Sequence, residues 1–230
     1  LISKLPRWVE YGAFVLALVA GLINSVGLLG FKHQSISHLS GTATLLGTGV
    51  ITSTFTDAFH LLLILFSFLM GAGISGYFIR GGALKLGRNY SGLLYLEAAL
   101  LFGAIYFLTK DSLNGHYLAS AACGLQNALA TTYSGAVIRT THVTGIFTDL
   151  GIMLGAKLRG ETFDNRKALL FLLIITGFVV GGGLGAYLFS LFKFYALFVP
   201  AGICIFLALI YSIYNANANA KTKTKTKARG

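Results

Sequence analysis

The chain has 230 residues, 55% of them hydrophobic and 11% charged, with a mean hydropathy of +0.75 and a formal net charge of +11. A water-soluble domain carries about 25% charged residues, so this composition excludes one and puts the chain in a bilayer. The charge does not describe a nucleic-acid surface, because five of the 18 basic residues lie between Lys221 and Arg229 and most others flank apolar runs, the distribution of the positive-inside rule.

Apolar runs fall at 11–31, 58–79, 91–108, 117–138, 168–192 and 194–214, each near the ~20 residues with which a helix crosses ~30 Å of hydrocarbon. They predict six transmembrane helices. Two shorter segments, 38–55 and 142–156, are interrupted by Gly41, Gly47 and Gly49 or by Gly145, Gly151 and Gly155 and are rich in Thr. Basic residues mark the amino end (Lys4, Arg7), the 80–88 stretch (Arg80, Lys85, Arg88), the stretch before the fifth span (Lys157, Arg159, Arg166, Lys167) and the carboxyl end. All four regions face the cytoplasm only if the two short segments are re-entrant half-helices rather than full crossings.

The chain is also one unit written twice. Gly21-Leu22-Ile23-Asn24 and His38-Leu39-Ser40-Gly41 with Thr44 return as Gly124-Leu125-Gln126-Asn127 and His142-Val143-Thr144-Gly145 with Thr148. Gly71, Gly73 and Tyr77 return as Gly181, Gly183 and Tyr187. With six spans and two half-helices the second copy starts from the opposite face, so the expected fold class is an all-α polytopic membrane protein with an inverted-topology repeat. The expected divisions are a cytoplasmic segment 1–10, repeat A 11–108, an external loop 109–116, repeat B 117–214 and a disordered basic cytoplasmic tail 215–230, which has no apolar face to bury.

These phrases, with Thr140-Thr141 before His142, resemble the YoaK-like family of small bacterial integral membrane proteins over about residues 10–212. Members commonly show an Asp near the position of Asn24 and a Thr-Gly-Asn where this chain has Ser40-Gly41-Thr42. The resemblance implies a bacterial inner-membrane location and supports the fold, and it implies no settled activity.

Ser40 and Thr144 suit helix N-caps, and neither has Glu or Gln three residues on, so no capping box forms. A half-helix N-terminus at mid-membrane presents unpaired amides and about half a positive charge to an anion or polar solute. Thr44 and Thr148 lie one turn further on the same face. His38 and His142 precede the tips in register and can donate to a solute or gate by titration, or act only as interhelical hydrogen bonders. Asn24, Gln126 and Asn127 sit inside spans, where an amide without a partner is costly, and either line the path or clamp helices. The solute-binding set is therefore Asn24, His38, Ser40, Gly41, Thr44, Gln126, Asn127, His142, Thr144, Gly145 and Thr148. Glu97 and Asp149 are intramembrane carboxyls and candidate coupling residues, with Asp149 alternatively pairing Lys157 or Arg159. Arg139 reaches either an anionic solute or the membrane interface.

Cys123 and Cys204 fall inside spans without zinc spacing, so neither a disulfide nor a metal is expected, and no cofactor motif is present. Gly71-Ala72-Gly73-Ile74-Ser75-Gly76 spells a dinucleotide fingerprint but lacks the strand before it. The same letters contain Gly-x-Ser-Gly, which makes an intramembrane hydrolase using Ser75 the rival activity. A non-transporting scaffold or lipid-binding protein is the other rival. The leading expectation is a transporter or channel, not an enzyme, for a small polar or anionic solute in a lipid bilayer, with Gly-rich faces that pack within one chain or in a homo-oligomer.

Overall fold

The computed structural model describes residues 6, 8–30, 38–52, 54–79, 89–134 and 138–227, with side chains described through 216 except Val50 and Thr52. Lys4, Arg7, Arg80, Lys85 and Arg88, on which part of the topology expectation rests, lie outside the described residues. Among the described residues there are eight α-helices and no strand: α1 (Trp8–Gly30), α2 (Leu39–Thr52), α3 (Phe55–Phe78), α4 (Tyr90–Leu108), α5 (Asn114–Ser134), α6 (Val143–Leu158), α7 (Asn165–Phe192) and α8 (Phe198–Lys227), with a 3-10 turn at Lys193–Leu197.

Four helical stretches are long and apolar enough to cross a membrane: Trp8–Gly30, Phe55–Phe78, Tyr90–Leu108 and the 52-residue stretch Asn165–Ala216. The last would run ~78 Å as one helix at ~1.5 Å per residue, more than twice a bilayer core. It is broken at Lys193, whose φ of 52° no α-helix contains, so α7 and α8 are separate helices. Helix α5, expected as an apolar span, falls outside this set because Asn114, His116, Ser120, Gln126, Asn127, Thr131 and Thr132 dilute its hydropathy. It is nevertheless mostly buried, packed on α1, α3 and α4. Helix α8 runs on to Lys227, since extending an existing helix needs no new nucleus.

Named contacts give the helix directions. Gly177, Gly181 and Gly185 of α7 meet the carbonyls of Phe14, Leu18 and Leu22 of α1 in that order, so α1 and α7 are parallel. His60, Ile64 and Phe68 of α3 meet Tyr117, Ser120 and Gly124 of α5, also parallel. Trp8 rests on Tyr133 while Gln126 reaches the carbonyl of Leu16, so α1 and α5 are antiparallel. Tyr90 on Tyr133 and Gly103 on Leu118 make α4 antiparallel to α5. Tyr90 on Tyr211 and Phe102 on Phe198 make α8 antiparallel to α4. Helices α1, α4 and α7 thus run one way, and α3, α5 and α8 run the other.

The duplicated glycines make like contacts. A Cβ on Gly21 would strike the carbonyl of Phe178, and one on Gly181 that of Leu18; at the corresponding positions of the other pair, Gly124 abuts Phe68 and Gly71 abuts Ala121. In each pair backbone lies on backbone, as small residues permit in a bilayer, where packing and not hydrophobicity holds helices together. Side-chain caps start the two counterpart helices: Thr54 accepts from the Asp57 amide of α3 (3.3 Å) and Asp164 from the Lys167 amide of α7 (3.0 Å).

Gly124→Ala should therefore destabilise the purified protein by ~1–3 kcal/mol through overpacking. Gly73→Ala, whose Cβ meets nothing within 4 Å, should be neutral or stabilising by up to ~1 kcal/mol. Thermal unfolding of both in detergent checks this, and equal effects would contradict the backbone contact.

Candidate functional site

The amino-terminal tips of α2 and α6 open on one cavity of about 480 Å³, lined by His38, Leu39, Ser40, Phe68, Asn127, Thr131, Arg139, Thr141, His142, Val143 and Thr144. That volume is within the ~300–1,000 Å³ of small-molecule sites. Five of the expected residues meet there: His38, Ser40, Asn127, His142 and Thr144.

The tips begin two residues earlier than expected. Ser40 and Thr144 are not N-caps: α2 starts at Leu39 and α6 at Val143, with His142 as the N-cap of α6 and no side-chain bond capping it. Residues of the first turn cannot cap their own helix, and Ser40 and Thr144 serve instead as carbonyl acceptors for Thr44 (2.9 Å) and Thr148 (3.0 Å). This back-bonding satisfies two threonine hydroxyls on exposed helix faces and takes Thr44 and Thr148 away from the cavity. The first intrahelical amides are those of Thr42, to the carbonyl of His38, and Ile146, to that of His142. The amides of Leu39, Ser40 and Gly41, and of Val143, Thr144 and Gly145, precede them and have no acceptor within their helix.

His142 is exposed and folds over the first turn of α6; a Cβ at Gly145 would collide with its ring, so the glycine makes room for the imidazole. His38 is half-buried and set edge-on against Phe178, with ring centroids 5.4 Å apart. Asn127 accepts a long hydrogen bond from Thr141 (3.4 Å), tying α5 to the strand of chain that leads into α6.

The other expected residues lie elsewhere. Asn24 is buried in α1, and Gly41 faces open space. Gln126 is a clamp: its Nε2 donates to the Leu16 carbonyl at 2.6 Å, joining α5 to α1. Asp149 is exposed on α6, and Arg159, one of its expected partners, pairs with Glu161 at 2.7 Å. Glu97 is wholly buried between α4, α5 and α8. Ser75 is buried in α3 and is not among the cavity residues.

Arg139 is the residue whose place the sequence left open. It is exposed, lines the cavity and enters no ion pair among the described residues. Its position immediately before Thr140-Thr141-His142 was the available signal. Among the described residues no carboxylate lines the cavity, so a guanidinium and two positive helix ends, each worth about half a charge, face it together. The described residues hold no group of three His, Cys, Asp or Glu that fits a metal ion. A second cavity, about 90 Å³ between Trp8, Tyr90 and Tyr133, is apolar and brings no polar groups together.

Thr144→Cys and Ser40→Cys should react with a water-soluble thiosulfonate while the native protein, whose Cys123 and Cys204 are buried, and Ile146→Cys at a buried position of the same helix do not. Mass spectrometry after labelling reads the result. Thr144→Cys as inert as Ile146→Cys would mean that the tip is not open to water.

Residues 12–210 match the DUF1275 family, described as proteins of unknown function, and the chain belongs to that family. No curated protein and no solved structure matches it.

Proposed function

We propose that this protein carries a small anion across the bacterial inner membrane, as a transporter or channel whose site is the cavity between the α2 and α6 tips. In this reading α1, α3, α4, α5, α7 and α8 are six spans, α2 and α6 are re-entrant half-helices, and both termini are cytoplasmic. The helix directions support it. Because α1 and α3 run oppositely, the chain between them returns to the face it left, which a full crossing by α2 would prevent; α6, between the opposed α5 and α7, meets the same condition. Counterpart helices α1 and α5, and α4 and α8, are antiparallel, as an inverted repeat requires.

The observation that carries the choice of solute is the charge of the cavity. A site that is carboxylate-free among the described residues, with Arg139 and two helix N-termini, that of α6 without a side-chain cap, favours negative charge, and Arg matches planar oxyanions bidentately. Ser40, Thr144, Asn127 and the two histidines supply donors that fix orientation. Broken helices whose ends meet at mid-membrane are the usual construction of such sites in secondary transporters, and alternating access would come from one half rocking against the other.

A thermal-shift screen of the purified protein against nitrate, sulfate, phosphate, acetate and succinate, with choline and lysine as cationic controls, tests this. An anion at one hundred times its Kd should stabilise by about 2.7 kcal/mol, and Arg139→Gln should weaken that anion at least tenfold, the effect of ~1.4 kcal/mol. Stabilisation by the cations alone, or an Arg139→Gln protein that binds as tightly as the native one, would contradict the proposal.

A further inference from the structure

Glu97 is 0% exposed, at the middle of α4. The register set by Tyr90 on Tyr211 and Phe102 on Phe198 puts it level with Cys204 of α8, at the crossing of two counterpart helices. The titratable groups that face it are thiols, Cys204 of α8 and Cys123 of α5, and no cation acts on it among the described residues. The Cys204 thiol that faces it is a weak donor. Neither carboxyl oxygen has a hydrogen-bond partner of proper geometry among the described residues. A carboxyl in that position contributes little to packing that Leu or Gln would not supply better, and intramembrane carboxyls mark proton paths by default.

Its position links it to the cavity. Cys123 precedes Gly124, whose backbone abuts Phe68, and Phe68 and Asn127, one turn beyond Cys123, line the cavity. Glu97 thus stands behind the cavity wall, and a negative charge on it opposes a negative solute in front. We propose that Glu97 is the coupling residue of this site: one proton joins its carboxylate as one anion binds, and the two cross together.

The inference rests on the anion reading above. The step is O–H bond formation at the Glu97 carboxylate with a proton from water on the side of uptake, and its reversal on the side of release. For unit charges about 10 Å apart at an effective dielectric near 20, protonation strengthens anion binding on the order of tenfold, and by linkage the anion favours protonation by the same factor.

Nitrate and sulfate are suitable probes because neither titrates between about pH 5 and 9. The native protein in weakly buffered detergent should take up about half a proton per anion bound at the pH of greatest uptake, as a roughly tenfold coupling gives, and Glu97→Gln, confirmed as folded by gel filtration, should bind the same anion with no Glu97-linked uptake. In proteoliposomes, an inside-alkaline gradient should accumulate the anion through the native protein, whereas Glu97→Gln should exchange it without accumulation. Anion binding by the native protein without proton uptake, or undiminished accumulation by Glu97→Gln, would overturn this inference alone. A Glu97→Gln protein that binds no anion would also overturn it, assigning Glu97 to structure. Absence of binding by the native protein to either probe or to any anion of the screen would overturn the anion reading, and the coupling with it.

Discussion

Two helix pairs are held backbone to backbone, α1 on α7 through Gly21 and Gly181 and α3 on α5 through Gly124 and Gly71, and each pair takes one helix from each half of the chain. Neither half is therefore a self-contained bundle. The glycine contacts set α1 parallel to α7 and α3 parallel to α5, and the contact of Trp8 with Tyr133 opposes α1 and α5. Gln126 adds a hydrogen bond to the Leu16 carbonyl where those two helices pass, and Arg166 ties α7 to Glu10 of α1 at 2.8 Å. In a bilayer, close approach by small residues and a few polar links replace the hydrophobic drive of a soluble core.

The interleaved frame also explains why the tips of α2 and α6 converge. Both short helices contribute little buried surface of their own: Ile146 is the buried residue of α6, and α2 rests mainly on α3. Their ends are positioned by the helices that flank them, with Phe68 of α3 and Asn127 and Thr131 of α5 forming the wall between. The counterpart helices α3 and α7 carry side-chain caps, while the tip of α6 does not. An uncapped helix end beside Arg139 concentrates positive potential in the cavity, and that is the chemical basis for assigning it an anion.

Much of this was legible in the residues. The duplicated Gly-Asn and His-Ser/Thr-Gly phrases marked the repeat, and the glycines at Gly21, Gly71, Gly124 and Gly181 proved to be contact points between its halves. The two histidines stand at the starts of α2 and α6. What the letters did not disclose was orientation around each helix axis. Thr44 and Thr148 lie one turn beyond Ser40 and Thr144, yet their hydroxyls turn back to the carbonyls of the preceding turn. Gln126 and Asn127 are sequence neighbours, but ~100° of helical rotation separates adjacent residues, and so one clamps α1 while the other faces the cavity. The two-residue shift of the helix starts arose because Ser and Thr are good caps in general, whereas here the histidines occupy the position before the first turn.

Side-specific labelling of single cysteines tests the account most directly. Thr54 lies between α2 and α3, Asp111 between α4 and α5, and Glu161 between α6 and α7. If α2 and α6 each return to the face they came from, Thr54→Cys and Asp111→Cys will be modified by an impermeant maleimide added to the outside of intact cells, and Glu161→Cys only after the membrane is opened. Labelling of Thr54→Cys on the same side as Glu161→Cys would mean that α2 crosses completely, and the converging tips and the cavity assigned to them would lose their place at mid-membrane.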